Sequence, residues 1–426
     1  MALLNERKTV LTSSCKKTNI RKQKKGRNMH NIRKITDDLI YIGANDRRIS
    51  RFENQHPVPN GMSYNSYLLL DEKTVLLDTV DKAVGELFLE NLCVALNGRE
   101  LDYMIIQHME PDHCALIPRI LELYPQVKVA GSQKTFGMIQ QFFGLDLAER
   151  AMVMKEGDTL ETGAHTLRFL MAPMVHWPEV MVTYDETSKR LFSADAFGAF
   201  GAVNGNLYAD EYNVDFDLLP EARRYYTNII GKYGRQVLAL LEKIAKLEIE
   251  MILPLHGPVL RQDLHYYIEK YSNWAAYTPE EKGIVIAYGS IYGNTEKAAE
   301  LLAAKLADRG EKNIVVYDVS AWHPSYILSD CFRFDRLVFA CSTYNMEVFP
   351  PMEMLLLELK GHTMQNRAVA VIENGSWAPQ SGKKMRELLA EMKDMRVLES
   401  EISIRSAMTP ADAEALDALV ELIVAA

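Results

Sequence analysis

Four side chains able to bind a metal stand within six residues of one another: His108, Glu110, Asp112 and His113, in Gln-His-Met-Glu-Pro-Asp-His. Imidazole nitrogen combined with carboxylate oxygen suits zinc, iron or manganese and does not suit calcium or copper(I). Three further candidates lie downstream. His176 stands in Ala-Pro-Met-Val-His-Trp-Pro, Asp195 in Phe-Ser-Ala-Asp-Ala-Phe-Gly and His256 in Leu-Pro-Leu-His-Gly-Pro. Each of these singly reads as an ordinary hydrogen-bonded loop residue or turn cap. All seven follow an apolar, strand-like run, and strand ends present ligands without breaking a sheet. Together they describe a metal centre. Trp177, beside His176, reads as packing.

A second group of polar and aromatic residues begins at Ser290. Ser290-Ile291-Tyr292-Gly293-Asn294-Thr295 closes a strand and opens a helix expected over Glu296–Arg309. A helix N-terminus supplies backbone N–H groups and a favourable dipole to a phosphate. The loop holds no Lys or Arg, and it is not the GxGxxG dinucleotide fingerprint. Ser342-Thr343-Tyr344-Asn345 and Asn374-Gly375-Ser376-Trp377 follow the third and fourth strands of the same region. In a doubly wound sheet of order 2-1-3-4-5, the ends of strands one, three and four surround one crevice. Small polar and aromatic residues there suit an isoalloxazine ring, with Trp377 the first stacking candidate and Tyr344 the second. FMN is the cofactor these three loops imply.

The positioning elements are legible as period. Thr74–Val80, Leu101–Gln107, Val127–Gly131, Thr166–Met171, Val180–Tyr184, Arg190–Ser193 and Glu250–Pro254 read as strands. Tyr226, Ile230, Val237, Leu241 and Ile244 recur at helical spacing and predict one long amphipathic helix. The aromatic stretch 265–282 predicts a last helix and a linker. From Gly283 the pattern becomes regular βα alternation, with strands at Ile284–Tyr288, Ile314–Val319, Leu337–Cys341, Ala368–Ile372 and Ile402–Arg405. Near-continuous apolar strands of that kind form a parallel sheet covered on both faces. Thr409-Pro410-Ala411-Asp412 caps the final helix. The expected domains are 29–278 and 279–426.

With 426 residues, two domains are the default. Residues 1–28 hold nine of the 48 basic side chains and one of the 57 acidic ones, so the remainder nets −17. That segment reads as a basic, disordered arm, or as an upstream extension of a chain starting at Met29. An acidic body argues against nucleic acid as the partner. There is no apolar leader and no run long enough to span a membrane. The five cysteines form no CxxC pair, which excludes a cysteine-rich zinc module or an iron–sulfur cluster and fits a reducing cytoplasm.

The ligand pattern resembles the metallo-β-lactamase fold, whose hydrolases carry His-x-His-x-Asp-His where this sequence has Glu110 in place of the second His. That departure is similar to the flavodiiron proteins (A-type flavoproteins), with His-x-Glu-x-Asp and then His, Asp and His; the Ser290–Thr295 loop resembles the FMN phosphate loop of flavodoxins. The resemblance covers nearly all of the chain from Met29. It implies an αββα sandwich followed by a flavodoxin-like five-stranded sheet. It further implies one iron on His108, Glu110 and His176, a second on Asp112, His113 and His256, and Asp195 as the bridge. His113 occupies a position that does not ligate in every member. The implied activity is reduction of O₂ to water or NO to N₂O, in a head-to-tail homodimer. Electrons would reach FMN from an external rubredoxin, flavin reductase or reduced deazaflavin coenzyme. Two other readings stand beside it: a zinc hydrolase with a flavodoxin-like appendage, which a His at position 110 would have favoured, and an FMN electron carrier with a structural metal.

Overall fold

The computed structural model describes residues 30–147, 149–400 and 402–426. The basic segment 1–28 lies outside them. The chain forms two compact units, and each takes more than one stretch of sequence. The first comprises the described residues up to Phe52, Val58–Leu218 and Ala239–Leu264, and the second Glu53–Pro57, Leu219–Leu238 and His265–Ala426.

The first unit is built on two sheets. One has the order Arg33–Lys34, Leu39–Tyr41, Tyr67–Leu70, Thr74–Leu77, Tyr103–Ile105, Lys128–Gly131, Ala151–Val153. The other has the order Thr159–Glu161, Thr166–Met171, Met181–Asp185, Arg190–Phe192, Met251–Leu253. Tyr67, Leu69, Val75 and Ile105 of the first sheet share one buried cluster with Leu167, Phe169, Phe192 and Leu253 of the second. The alternating apolar faces thus close on each other as a sandwich. Thr166–Met171 and Arg190–Phe192 each run antiparallel to Met181–Asp185, and Met251–Leu253 runs parallel to Arg190–Phe192. Three strands therefore point the same way and finish at one edge. The loops that leave them carry His176, Asp195 and His256.

The second unit is a parallel sheet of order Ile314–Asp318, Glu281–Gly289, Phe334–Tyr344, Arg367–Asn374, then Met395–Val397 and Ile402–Ile404. This is the expected 2-1-3-4-5 order. Helices Asn294–Asp308 and Pro410–Val424 bury Ala298, Leu302, Leu416 and Leu419 against Ile284, Ile286 and Ala340 on one face. The Thr409 cap forms as expected, its hydroxyl accepting from the Asp412 N–H while Asp412 Oδ2 accepts from the Thr409 N–H at 2.7 Å.

Two expectations need correction. The long helix over 226–244 is broken into a π turn at Tyr226–Ile230, a 3₁₀ turn at Gly231–Tyr233 and a regular helix at Gly234–Ile244. The period survives because Tyr226 still packs inward, its ring 4.8 Å from Tyr271 and 5.4 Å from Trp274. Gly234 permits the close pass at the break, since a Cβ there would stand 2.3 Å from the Ala275 carbonyl oxygen. The third strand of the second unit does not stop at Cys341 but runs to Tyr344 and turns back into Glu347–Val348. Asn345 and Met346, at φ 50° and 68°, make that two-residue turn, the left-handed pair that matches strand twist. Among the described residues no helix is long and apolar enough to cross a membrane.

Candidate metal and flavin sites

His108 leaves the strand Tyr103–Ile105, and Asp112 and His113 sit on the short helix Pro111–Cys114 that follows it. The bend is held from below. Asp78 Oδ1 accepts from the Gln107 N–H at 2.8 Å and the His108 N–H at 3.3 Å, and its Oδ2 accepts from the Gln107 amide at 2.8 Å. Thr79 donates its N–H to the His113 carbonyl at 2.8 Å and its hydroxyl at 2.6 Å. The His256 turn is pinned by the Asn65 amide, which donates to the Pro254 and Gly257 carbonyls at 2.9 and 2.8 Å. The loops that carry these ligands are thus tied down by buried side chains.

All seven expected ligands come together in two adjoining groups, His108, Glu110, His176 and Asp195, and then Asp112, His113 and His256. In the first, the Nε2 atoms of His108 and His176 are 3.3 Å apart, and Glu110 Oε2 lies 3.2 and 3.0 Å from them. In the second, His113 and His256 approach Nε2 to Nε2 at 3.0 Å, with Asp112 Oδ2 at 3.3 and 3.2 Å. Asp195 stands between them. Its Oδ2 is 3.1 Å from His176 and 3.4 Å from His108, and its Oδ1 is 3.2 Å from His113 and 3.8 Å from His256. Metal bonds of about 2.1 Å put neighbouring ligand atoms roughly 3.0–3.4 Å apart, so the spacing in each group is that of a coordination shell.

Hydrogen bonding supports the same fit. His108 spends its Nδ1–H on Glu179 Oε1 at 2.8 Å, and His256 spends its own on the Ser63 carbonyl at 2.7 Å. Both therefore turn an Nε2 lone pair to the centre. Both carboxylate oxygens of Asp112 are buried with no hydrogen-bond partner, a cost that a bound cation removes. Burial opposes charge on His176, yet hydrogen bonds to Asp195 and Glu110 hold it up at about 9. Burial likewise opposes ionisation of Asp195, but His108 and His113 keep its carboxyl well below the usual range. The field is one that attracts cations. His108, His113, Asp195 and His256 are fully buried, whereas Glu110, Asp112 and His176 keep 6–7 % exposure, so what exposure the centre has lies on their side. Trp177 packs edge-on to the His108 ring at 5.4 Å and stacks on Phe142 at 6.4 Å.

Glu179, Asp78 and Ser63 were not singled out in the sequence. Glu179 carried a weak signal, an acid just before the fully buried strand Met181–Asp185.

In the second unit, Ser290, Ile291, Tyr292 and Gly293 follow the strand Glu281–Gly289 and lead into the helix Asn294–Asp308. Gly293 sits at the helix start with φ 88°, and no side chain caps the first turn, leaving its N–H groups to an anion. The Thr295 and Ser342 hydroxyls lie 2.8 Å apart and join the first loop to the third strand's end. Other expected contacts are committed locally. Thr343 Oγ1 accepts from the Gln380 and Ser381 N–H groups at 2.9 and 3.1 Å. Asn374 donates to the Ser406 carbonyl at 3.1 Å, Ser406 donates to Ser376 Oγ at 3.0 Å, and the Gly375 N–H donates to the Ile404 carbonyl at 3.1 Å. The loop after the last strand thus braces the one after the fourth, which the sequence did not suggest. Tyr292 at 93 % and Trp377 at 84 % exposure, with Tyr344 half-exposed, leave aromatic faces open for stacking.

Gly293→Val tests the phosphate turn. A side chain in the left-handed region costs about 1–2 kcal/mol, so FMN binding is expected to weaken by about tenfold. Flavin fluorescence released on dialysis measures this, and retention equal to the parent's would remove the turn from the phosphate site.

Residues 62–257 match the family described as ODP family beta lactamase, and residues 286–416 match Flavodoxin. The rubredoxin-oxygen oxidoreductase of Megalodesulfovibrio gigas is 31% identical over 92% of this chain and 96% of its own. The nitric oxide reductase of Moorella thermoacetica is 29% identical over 84% of this chain and 90% of its own. Among solved structures, a variant of the flavo di-iron protein from Thermotoga maritima superposes with a TM-score of 0.85 at 28% identity, covering 92% of this chain and 98% of that one. The chain belongs to the flavodiiron protein family, with a metallo-β-lactamase-like unit followed by a flavodoxin-like one.

Proposed function

We propose that the chain is an oxidoreductase reducing O₂ to water or NO to N₂O, with two irons on the seven ligands and FMN at the strand ends of the second unit. The observation that carries this reading is Asp195, whose two oxygens face different ligand groups, the first of which holds a carboxylate, Glu110, where a zinc site would have an imidazole. His108, Glu110 and His176 would hold one iron, Asp112, His113 and His256 the other. When bound, the irons and the flavin supply the reducing electrons and the open coordination positions. The protein's own part is placement. The Nδ1 hydrogen bonds of His108 and His256 aim their Nε2 atoms, and burial excludes bulk water from all sides but that of Glu110, Asp112 and His176. Ser290–Thr295 would hold the FMN phosphate, and the loops Ser342–Asn345 and Asn374–Trp377 would line the ring, with Trp377 stacked on it and the Thr343 hydroxyl and Asn374 amide bracing those loops.

The donor is a separate rubredoxin, flavin reductase or reduced deazaflavin coenzyme; the name of the Megalodesulfovibrio relative supports the first. The assembly is a head-to-tail homodimer, in which the FMN of one subunit would serve the irons of the other, and the protein is cytoplasmic.

Protein purified anaerobically from iron-replete cells is expected to hold about two irons and one FMN per chain and to consume NO or O₂ when given reduced rubredoxin. Two zincs with little iron would send the reading to a hydrolase.

A further inference from the structure

The two ligand groups are alike toward the centre and differ behind it. The His108 Nδ1–H donates to a carboxylate, Glu179 Oε1, at 2.8 Å, and the same oxygen accepts the Met109 N–H at 2.8 Å. Glu179 is 1 % exposed, and its Oε2 accepts no hydrogen bond. Among the described residues its only ion-pair partner is His108. In the other group the corresponding supports are neutral or missing. His256 donates to a backbone carbonyl, and His113 Nδ1 has no hydrogen-bond partner.

A carboxylate on the far nitrogen of a ligating imidazole fixes the ring's tautomer and orientation and makes its near nitrogen a stronger donor. A peptide carbonyl does this more weakly. Glu179 cannot itself be a ligand in this geometry, because it touches His108 on the side opposite the Nε2 that meets Glu110 and His176. It is also an expensive residue to bury, since a carboxylate out of water must be offset by hydrogen-bond donors or positive charge, and no donor reaches its Oε2. The imidazole alone is a modest partner; an imidazole backed by a metal is a good one.

We propose that Glu179 is a positioning residue for the group His108, Glu110 and His176, and that acting through His108 it makes the metal there bind more tightly than the one at Asp112, His113 and His256. This rests on the di-iron reading above.

The test is anaerobic release of iron from the two-iron, FMN-loaded protein into a ferrous chelator. The parent is expected to release iron in two phases of about one iron each, and Glu179→Gln to speed the slow phase by about 10–100-fold. The fast phase and the FMN content stay as they were. In a redox titration the same variant moves one iron couple to more positive potential and leaves the flavin couples in place, a change that a packing role would not produce. Glu179→Asp, which keeps the charge, falls between parent and Gln, and it serves alone if the Gln variant does not fold. A single phase in the parent, a slow phase that neither variant moves, or equal acceleration of both phases would overturn the proposal. Protein that carries zinc from the outset would instead count against the di-iron reading itself.

Discussion

Asp195→Asn is expected to empty both metal positions and abolish NO and O₂ turnover while FMN stays bound. The side chain is fully buried, with Oδ2 turned to His108 and His176 and Oδ1 to His113 and His256. An amide in this place presents an N–H donor to one pair of imidazoles, where a lone pair is needed. It also removes one of the three carboxylates that offset the charge of two divalent ions. Losing an outer partner of a metal ligand already costs about 10–100-fold in affinity or activity, so loss of a residue shared by two ions should cost at least about 100-fold in both. Iron and flavin are assayed on the same preparation, with amperometric NO uptake as the activity. Retention of one full iron would show that Asp195 serves a single group, and retention of both with turnover would remove it from the centre.

How much of this was legible in the sequence follows from the reach of each signal. His108, His176, Asp195 and His256 are readable because each comes directly after an apolar strand, and three such strands run in one direction. The parallel sheet is readable because strands buried on both faces are apolar along their whole length. Glu179, Asp78 and Ser63 act on residues 71, 29 and 193 positions away. Apart from the buried strand that follows Glu179, nothing local distinguishes such an acid or serine from a turn cap. The run Tyr226–Ile244 looks like one helix because a π turn keeps its apolar side chains facing inward, so period alone does not reveal the break. Nor does period show that Leu219–Leu238 and the helix Leu264–Ala275 from His265 onward pack in the second unit. That is decided by the fit of Tyr226 against Tyr271 and Trp274. The Thr343 hydroxyl reads as a flavin contact and is found holding the start of the next helix. A small polar residue at a strand end serves either purpose, and its type does not say which.

Glu110→His would turn the ligand motif into that of the zinc hydrolases, and the expected result is a change of metal. Glu110 Oε2 lies 3.2 Å from His108 Nε2 and 3.0 Å from His176 Nε2, nearly buried, so an imidazole put there completes a three-nitrogen set with Asp195 as the fourth ligand. Zinc accepts such a set readily and has no redox chemistry. The parent's three carboxylates set −3 against the +4 of two ferrous ions, and oxygen ligands favour the harder ferric state that a redox centre must reach. Removing one carboxylate raises the cost of each oxidation. The variant, expressed with iron and zinc both present, should carry mainly zinc and show NO and O₂ turnover lowered by at least about 100-fold, beyond the loss of an outer partner. Its FMN content should not change, because the flavin loops lie in the other unit. A variant that still holds two irons and turns over at the parent rate would mean that the carboxylate at position 110 does not select the metal.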